Sequence, residues 1–237
     1  MFILPLRDVN PTRRAPIMTY AIIMVSFLVF FYELSMPTSQ LNAFIATHAF
    51  VPAKFWDMLM SFNIWGILSM ILISTFLHGG WMHIIGNMWF LYVFGDNVED
   101  AMGHHIYLLF YLFASMVGMF LHALVFPTST TPLIGGSAAI SGVLGAYMIL
   151  YPASPIETLL IIGIFPVIIY ISAYWYLFYW ALLQVVSGIV DVMSPVAYWA
   201  HVGGFITGVI VGMWIKQHRP VRYRLYADNI YYYHRYW

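Results

Sequence analysis

The apolar positions of this chain fall into six runs, each near the length of about 20 residues that crosses a bilayer. They lie at roughly 16–35, 80–95, 104–126, 137–152, 172–190 and 196–215. The breaks are turn and stop residues: Arg14-Ala15-Pro16 before the first run, Gly95-Asp96 after the second, Phe126-Pro127 after the third and Tyr151-Pro152 after the fourth. Between the first two runs, roughly 36–75, Pro37, Pro52, Lys54 and Asp57 interrupt the apolar residues, which predicts an interfacial segment rather than a span. From Ile156 to Val190 the chain is almost uniformly apolar with Pro166 in the middle. We expect an interfacial strand or half-helix over roughly 156–170 and the fifth span after it. The pattern predicts an all-α, polytopic membrane protein, a bundle of six transmembrane helices.

Composition sharpens this reading. Hydrophobic residues make up 62% of the chain and charged ones 8%, against roughly 25% charged in a soluble domain. A formal net charge of zero gives no electrostatic footprint for nucleic acid. With no cysteine, disulfides, thiolate metal sites and thiol nucleophiles are excluded together. No cleavable signal peptide is expected, because Arg13-Arg14 leads into a full-length run without a small-residue cleavage pattern. Arg7, Arg13 and Arg14 precede the first run. Lys216, Arg219, Arg222, Arg224 and Arg235 follow the sixth, and Lys54 alone lies elsewhere. The positive-inside rule then places both ends in the cytoplasm, consistent with an even number of spans; the expected address is a prokaryotic inner membrane. Three parts follow: a cytoplasmic segment 1–15, a membrane domain 16–215 and a Tyr/Arg-rich cytoplasmic tail 216–237 expected on the inner membrane surface.

Polar residues inside spans are expensive and usually face a protein interior or a wet cavity. Here His78, His83 and Asn87 open the second span, Ser137 the fourth and His201 the sixth. By the predicted orientation all lie at one depth below the outer surface. The fifth span is expected to carry no residue of this cluster. Each residue also has a plainer reading. Ser137 suits helix packing, His201 a structural hydrogen bond, and His83 with Asn87, four apart on one face, an interhelical hydrogen bond as readily as a pair of donors aimed at one oxygen. Ala138, Gly142 and Ala146, like Gly204, Gly208 and Gly212, recur every four residues; such seams let two helices approach closely and bring Ser137 within reach of His201. His78 and His83 are five apart without a carboxylate partner in the spans, unlike the i, i+4 metal pair. Neither metal nor any other cofactor is expected.

The segments "HGGWMHIIGNMWFLYVFGDNVED" (His78–Asp100), "GGSAAISGVLGAY" (Gly135–Tyr147) and "AHVGGFITG" (Ala200–Gly208) resemble, in order and placement, the signature segments of rhomboid intramembrane serine proteases. The resemblance covers roughly residues 15–215. It implies Ser137 as nucleophile, His201 as general base and then acid, His83 and Asn87 as oxyanion stabilisers, His78 as a structural residue near the entrance, and Glu99 as a structural acid. It implies membrane-anchored protein substrates cut between small residues; the lipid bilayer is the other partner, and the oligomeric state is left open. The chain departs from the pattern in three places. Ala138 replaces the glycine that usually follows the serine. Ser141 stands where some relatives place an aromatic that stacks on the base. Trp56 and Trp65 lack the adjacent arginine of many relatives. An inactive member of the same fold that binds or escorts membrane proteins is the alternative function, although such relatives typically lack one of the Ser/His pair.

Overall fold

Helix α1 (Ile17–Ser35) fills the first expected span. The segment read as interfacial holds three helices, α2 (Thr38–His48), α3 (Pro52–Met60) and α4 (Ile64–Phe76), followed by α5 (Trp81–Met102), α6 (His104–Val125), α7 (Ser137–Leu150), α8 (Ala173–Val190) and α9 (Tyr198–His218). The structure, a computed structural model, describes residues 2–191, 194–219, 222–227 and 230–235. Among the described residues α1, α6, α8 and α9 are each long and apolar enough to cross a membrane, and α4 and α5 pass the same test together with a bend of 92° between them. The protein is a multi-pass helical membrane protein.

The second span runs seven residues further than its apolar pattern suggests, because Gly95 is a contact and not a stop. A Cβ there would lie 2.8 Å from the Tyr107 hydroxyl and 2.9 Å from Thr19 Cγ2. The helix ends instead at Gly103, with φ +78°. Its last turns do structural work. Glu99, buried, accepts hydrogen bonds from Met18 N and Thr19 N at 2.8 Å and from Thr19 Oγ1 at 2.7 Å. That caps α1, whose own N-cap, Pro16, supplies no side-chain acceptor. His104 Nδ1 also meets Glu99, at 2.5 Å.

The helical expectation describes the bundle, and the interfacial segment after α7 takes the strand alternative, as part of a small sheet. Residues 155–172 form a hairpin, β2 (Pro155–Ile162) and β3 (Phe165–Ser172), turning at Gly163 with φ +63°. The N-terminal segment is its third strand: β1 (Phe2–Asp8) pairs antiparallel with β2, Phe2 opposite Ile161. Arg7 Nε meets Glu157 Oε2 at 2.7 Å, and Trp89 Nε1 of α5 donates to Pro5 O at 2.6 Å. In the tail β4 (Arg222–Ala227) pairs with β5 (Ile230–Arg235); the expected surface position of the tail also rests on residues 220, 221, 228, 229, 236 and 237, outside the described ones.

One end of the bundle collects the start of α1, the C-termini of α5, α7 and α9, and the sheet. Arg219 of α9 donates to Met102 O of α5, and Lys216 Nζ to Ile149 O of α7 at 3.2 Å. The starts of α5, α7 and α9 therefore lie at the opposite end. At the centre is α7, where every residue except Ser137 and Ile149 is buried. Its 14 residues rise about 21 Å, less than the ~30 Å hydrocarbon core. If its C-terminus reaches one surface, Ser137 starts below the other.

Candidate active site

The two glycines before Ser137 are each required by geometry. Gly135 has φ +112°, a conformation that favours glycine, and a Cβ there would sit 2.7 Å from His83 Nε2. A Cβ on Gly136 would sit 2.4 Å from the buried Tyr111 hydroxyl. The turn is held from the segment read as interfacial: Gly135 N donates to Ser74 O at 2.8 Å, Leu133 N to Phe50 O at 2.7 Å, and Phe50 N to Ser74 Oγ. Ser137 is thus delivered as the first residue of α7, where backbone N–H groups have no intrahelical acceptor.

Backbone contact between α7 and α9 sets the partner. A Cβ on Gly204 would come 1.9 Å from Ala138 O, and one on Gly208 1.9 Å from Gly142 O. The two small-residue seams therefore meet as their spacing suggests. Ser137 Oγ lies 2.8 Å from His201 Nε2. The methyl of Ala138 finds its room on α6 opposite Gly118, where a Cβ would come within 2.8 Å of it and 2.4 Å of Ala200 O.

The other nitrogen of His201 has a partner that the sequence reading did not anticipate. His201 Nδ1 lies 2.9 Å from Gln184 Oε1, on α8. The fifth span was expected to contribute nothing to the cluster; this is a correction. The signal was there, since Gln184 is the single amide in an apolar, aromatic helix, and such residues in spans face the interior. Trp180, one turn before, sets its ring 6.2 Å from that of His201. Ser141, four residues after the serine, turns away from the base: its hydroxyl donates to Ser137 O at 2.6 Å.

His83 and Asn87 face the Ser137 turn from α5. Gly79 N donates to His83 Nδ1 at 3.3 Å, so that nitrogen is unprotonated and Nε2 carries the hydrogen. Asn87 Nδ2 is buried without a hydrogen-bond partner, and lies 3.3 Å from where a Gly135 Cβ would be. Two donors thus converge on the space beside Gly135. His78 stands one layer back. Its Nδ1 bonds Phe76 O at 3.0 Å, its ring packs edge-on against His83 at 5.2 Å, and its backbone N donates to the buried Glu33 carboxylate of α1 at 3.1 and 3.2 Å. Glu33 is a second residue the sequence reading left without a role. Trp56 bonds Ala123 O at 3.1 Å, pinning α3 to α6, while Trp65 is exposed. Among the described residues no three His, Cys, Asp or Glu side chains are grouped to hold a metal ion.

A family model described as Rhomboid domain matches residues 61–218, well over half of the chain. Rhomboid protein 1, mitochondrial, of Saccharomyces cerevisiae is 28% identical over 149 residues, 61% of this chain and 41% of that protein. Rhomboid-like protein 11, chloroplastic, of Arabidopsis thaliana is 36% identical over 69 residues, 29% of this chain and 24% of that protein. The matched stretch spans less than half the length of either relative. Both are named for organelles, so they lend no support to the bacterial inner membrane expected from sequence.

Proposed function

The chain belongs to the rhomboid family, and from that premise we propose that it is an intramembrane serine endopeptidase with Ser137 as nucleophile and His201 as general base. The observation that carries the reading is the 2.8 Å contact between Ser137 Oγ and His201 Nε2 at the recessed start of α7. A hydroxyl attacks a peptide carbonyl only as a base removes its proton, and His201 is within hydrogen-bond reach. As Oγ bonds to the carbonyl carbon, the oxygen gains negative charge. His83 Nε2–H, Asn87 Nδ2 and the first-turn amides of α7 stabilise it, donors of this kind being worth about 3 kcal/mol each. The intermediate collapses as His201 returns its proton to the leaving amine. Water, activated by the same histidine, then releases the acyl group.

The substrate class follows from the depth of the site. Ser137 meets a peptide bond that is itself held in or near the bilayer, so the substrate is a membrane-anchored chain unwound at that level. The basic residues at both ends support a topology with the termini in the cytoplasm or its organellar counterpart and the site opening to the other side. The test is cleavage of a reconstituted transmembrane substrate. Ser137→Ala and His201→Ala are each expected to abolish it while leaving the fold intact, and the double variant to be no worse than either single one. Undiminished cleavage by Ser137→Ala would overturn the assignment, and a wild type unable to cut any membrane-anchored chain would favour the binding or escort role.

A further inference from the structure

His201 has two ring nitrogens, and only one arrangement of its proton lets it act on Ser137. Nε2 must be unprotonated to accept from Ser137 Oγ, so Nδ1 must carry the hydrogen. In the structure Nδ1 lies 2.9 Å from Gln184 Oε1. The amide is itself oriented. Its Nε2 donates to Trp180 O at 3.3 Å, and because a backbone carbonyl only accepts, the NH2 must face Trp180 and the oxygen must face His201. We infer that Gln184 is a positioning residue for the reaction: its carbonyl oxygen holds the hydrogen of His201 on Nδ1, aims Nε2 at Ser137, and stabilises the imidazolium that forms as the serine attacks.

This rests on the protease reading above and extends it from a pair to a relay of three groups on three helices. The chemistry resembles the carboxylate that orients a catalytic histidine in soluble serine proteases, with one difference suited to the setting. An ionised side chain inside a membrane protein is costly to bury, whereas an amide supplies the same acceptor as a neutral dipole. Gln184 is partly buried, and both atoms of its amide have partners. A merely structural role is the competing account, since the bond also ties α8 to α9. A second tie of that kind exists without touching the pair: Trp199 Nε1 donates to Gly188 O at 3.1 Å.

The experiment compares full-length wild type, Gln184→Met, Gln184→Glu and Trp199→Phe in liposomes, with a transmembrane substrate that the wild type cleaves and a fluorophosphonate probe. Methionine keeps the length and removes the acceptor. Loss of a hydrogen bond to a group that becomes charged should lower kcat on the order of ten- to a hundred-fold with KM unchanged, and slow the probe by the same factor. Glutamate should restore most of both rates, because its oxygen accepts from Nδ1 whether or not it is ionised. Trp199→Phe should leave labelling within about twofold of wild type. Three results would overturn the inference: wild-type labelling by Gln184→Met, no recovery with Gln184→Glu, or a loss in Trp199→Phe equal to that in Gln184→Met, which would mean that helix docking alone is being read. A wild type that neither labels nor cleaves is a different failure, because it removes the protease reading itself.

Discussion

Helices α7 and α8 are neighbours against α9, yet they are held in opposite ways. Along α7 the side chains at the seam shrink to Ala and Gly, so that backbone rests on backbone and all but two residues are buried. Along α8 only Ala173, Tyr176, Leu177 and Gly188 are buried, and its apolar span is 22% buried against 56% for α9. The start of α8 is anchored by Tyr176 against Phe94 of α5, rings 6.3 Å apart, while Leu182, Leu183, Val186, Ile189 and Val190 further along are exposed. The difference separates two requirements. On the proposed function the nucleophile and base need a fixed distance, which a seam without side chains provides. On the same reading a membrane-anchored substrate needs a way in, which a helix that meets its neighbours at a few points, Tyr176, Gln184 and Gly188 among them, can give.

The sharpest break of that contrast is Gly204→Leu. The obstructing atom is Ala138 O, a backbone atom that a new Cβ would meet at 1.9 Å. Ordinary overpacking, which side chains can relieve, costs about 1–3 kcal/mol; this variant should exceed that and lose both probe labelling and its folded melting transition. A wild-type melting temperature would show that the seam does not set the helix approach.

Next in size is a matched pair of truncations. Leu144→Ala empties a fully buried position of α7 and should cost at least about 2 kcal/mol in a detergent unfolding assay. Leu182→Ala on the exposed face of α8 should stay within ~0.5 kcal/mol. Equal losses would mean that both helices are held alike.

A cross-link asks the same question of activity. Bridging cysteines at Val186 and Phe90 with a bifunctional thiol reagent should slow cleavage of a transmembrane substrate on the order of tenfold while small-probe labelling of Ser137 changes much less. Bridging the anchored end, at Tyr176 and Phe94, should change neither rate relative to the same double-cysteine variant left unbridged. Unchanged proteolysis in a fully bridged Val186/Phe90 sample would remove α8 as the way in.

The smallest effect concerns the sheet end. Asp8 accepts from Asn97 Nδ2 and from the Tyr147 hydroxyl, both at 2.6 Å. Burial first, and then the neighbouring Asp96 carboxylate, push its acid up to about 7. A folded-state value above the unfolded one means that the folded protein holds the proton more tightly. Asp8 therefore favours folding most below about pH 4, and that advantage is lost as pH rises toward about 7. Compared with Asp8→Asn, the wild type should lose melting temperature over that window, and a parallel pair of curves would contradict the protonation account.

Much of this was legible in the sequence, for physical reasons. A bilayer demands long apolar runs, so the spans other than the second could be read within a few residues from the apolar pattern. Polar groups are costly there, so Ser137, His201, His83 and Asn87 stood out, and the four-residue spacing of Ala138, Gly142, Ala146, Gly204, Gly208 and Gly212 announced the close approach of α7 and α9. What escaped was of two kinds. Some residues carry different meanings that only contacts distinguish: Gly95 reads as a helix stop but is a place where Thr19 and Tyr107 press in. Other features depend on partners distant in the chain. The pairing of Phe2 with Ile161 and the Glu99 cap on α1 leave no local pattern, and Gln184, conspicuous as a lone amide in its span, gives no sign of which residue it meets.

On the proposed function, the geometry around Ser137 makes one hydroxyl in this protein a nucleophile. The most direct measurement is to treat the purified protein with a fluorophosphonate probe and map the adduct by mass spectrometry. A single adduct is expected, on Ser137, abolished in Ser137→Ala and in His201→Ala. Absence of labelling in the folded wild type, or an undiminished adduct elsewhere in Ser137→Ala, would contradict it.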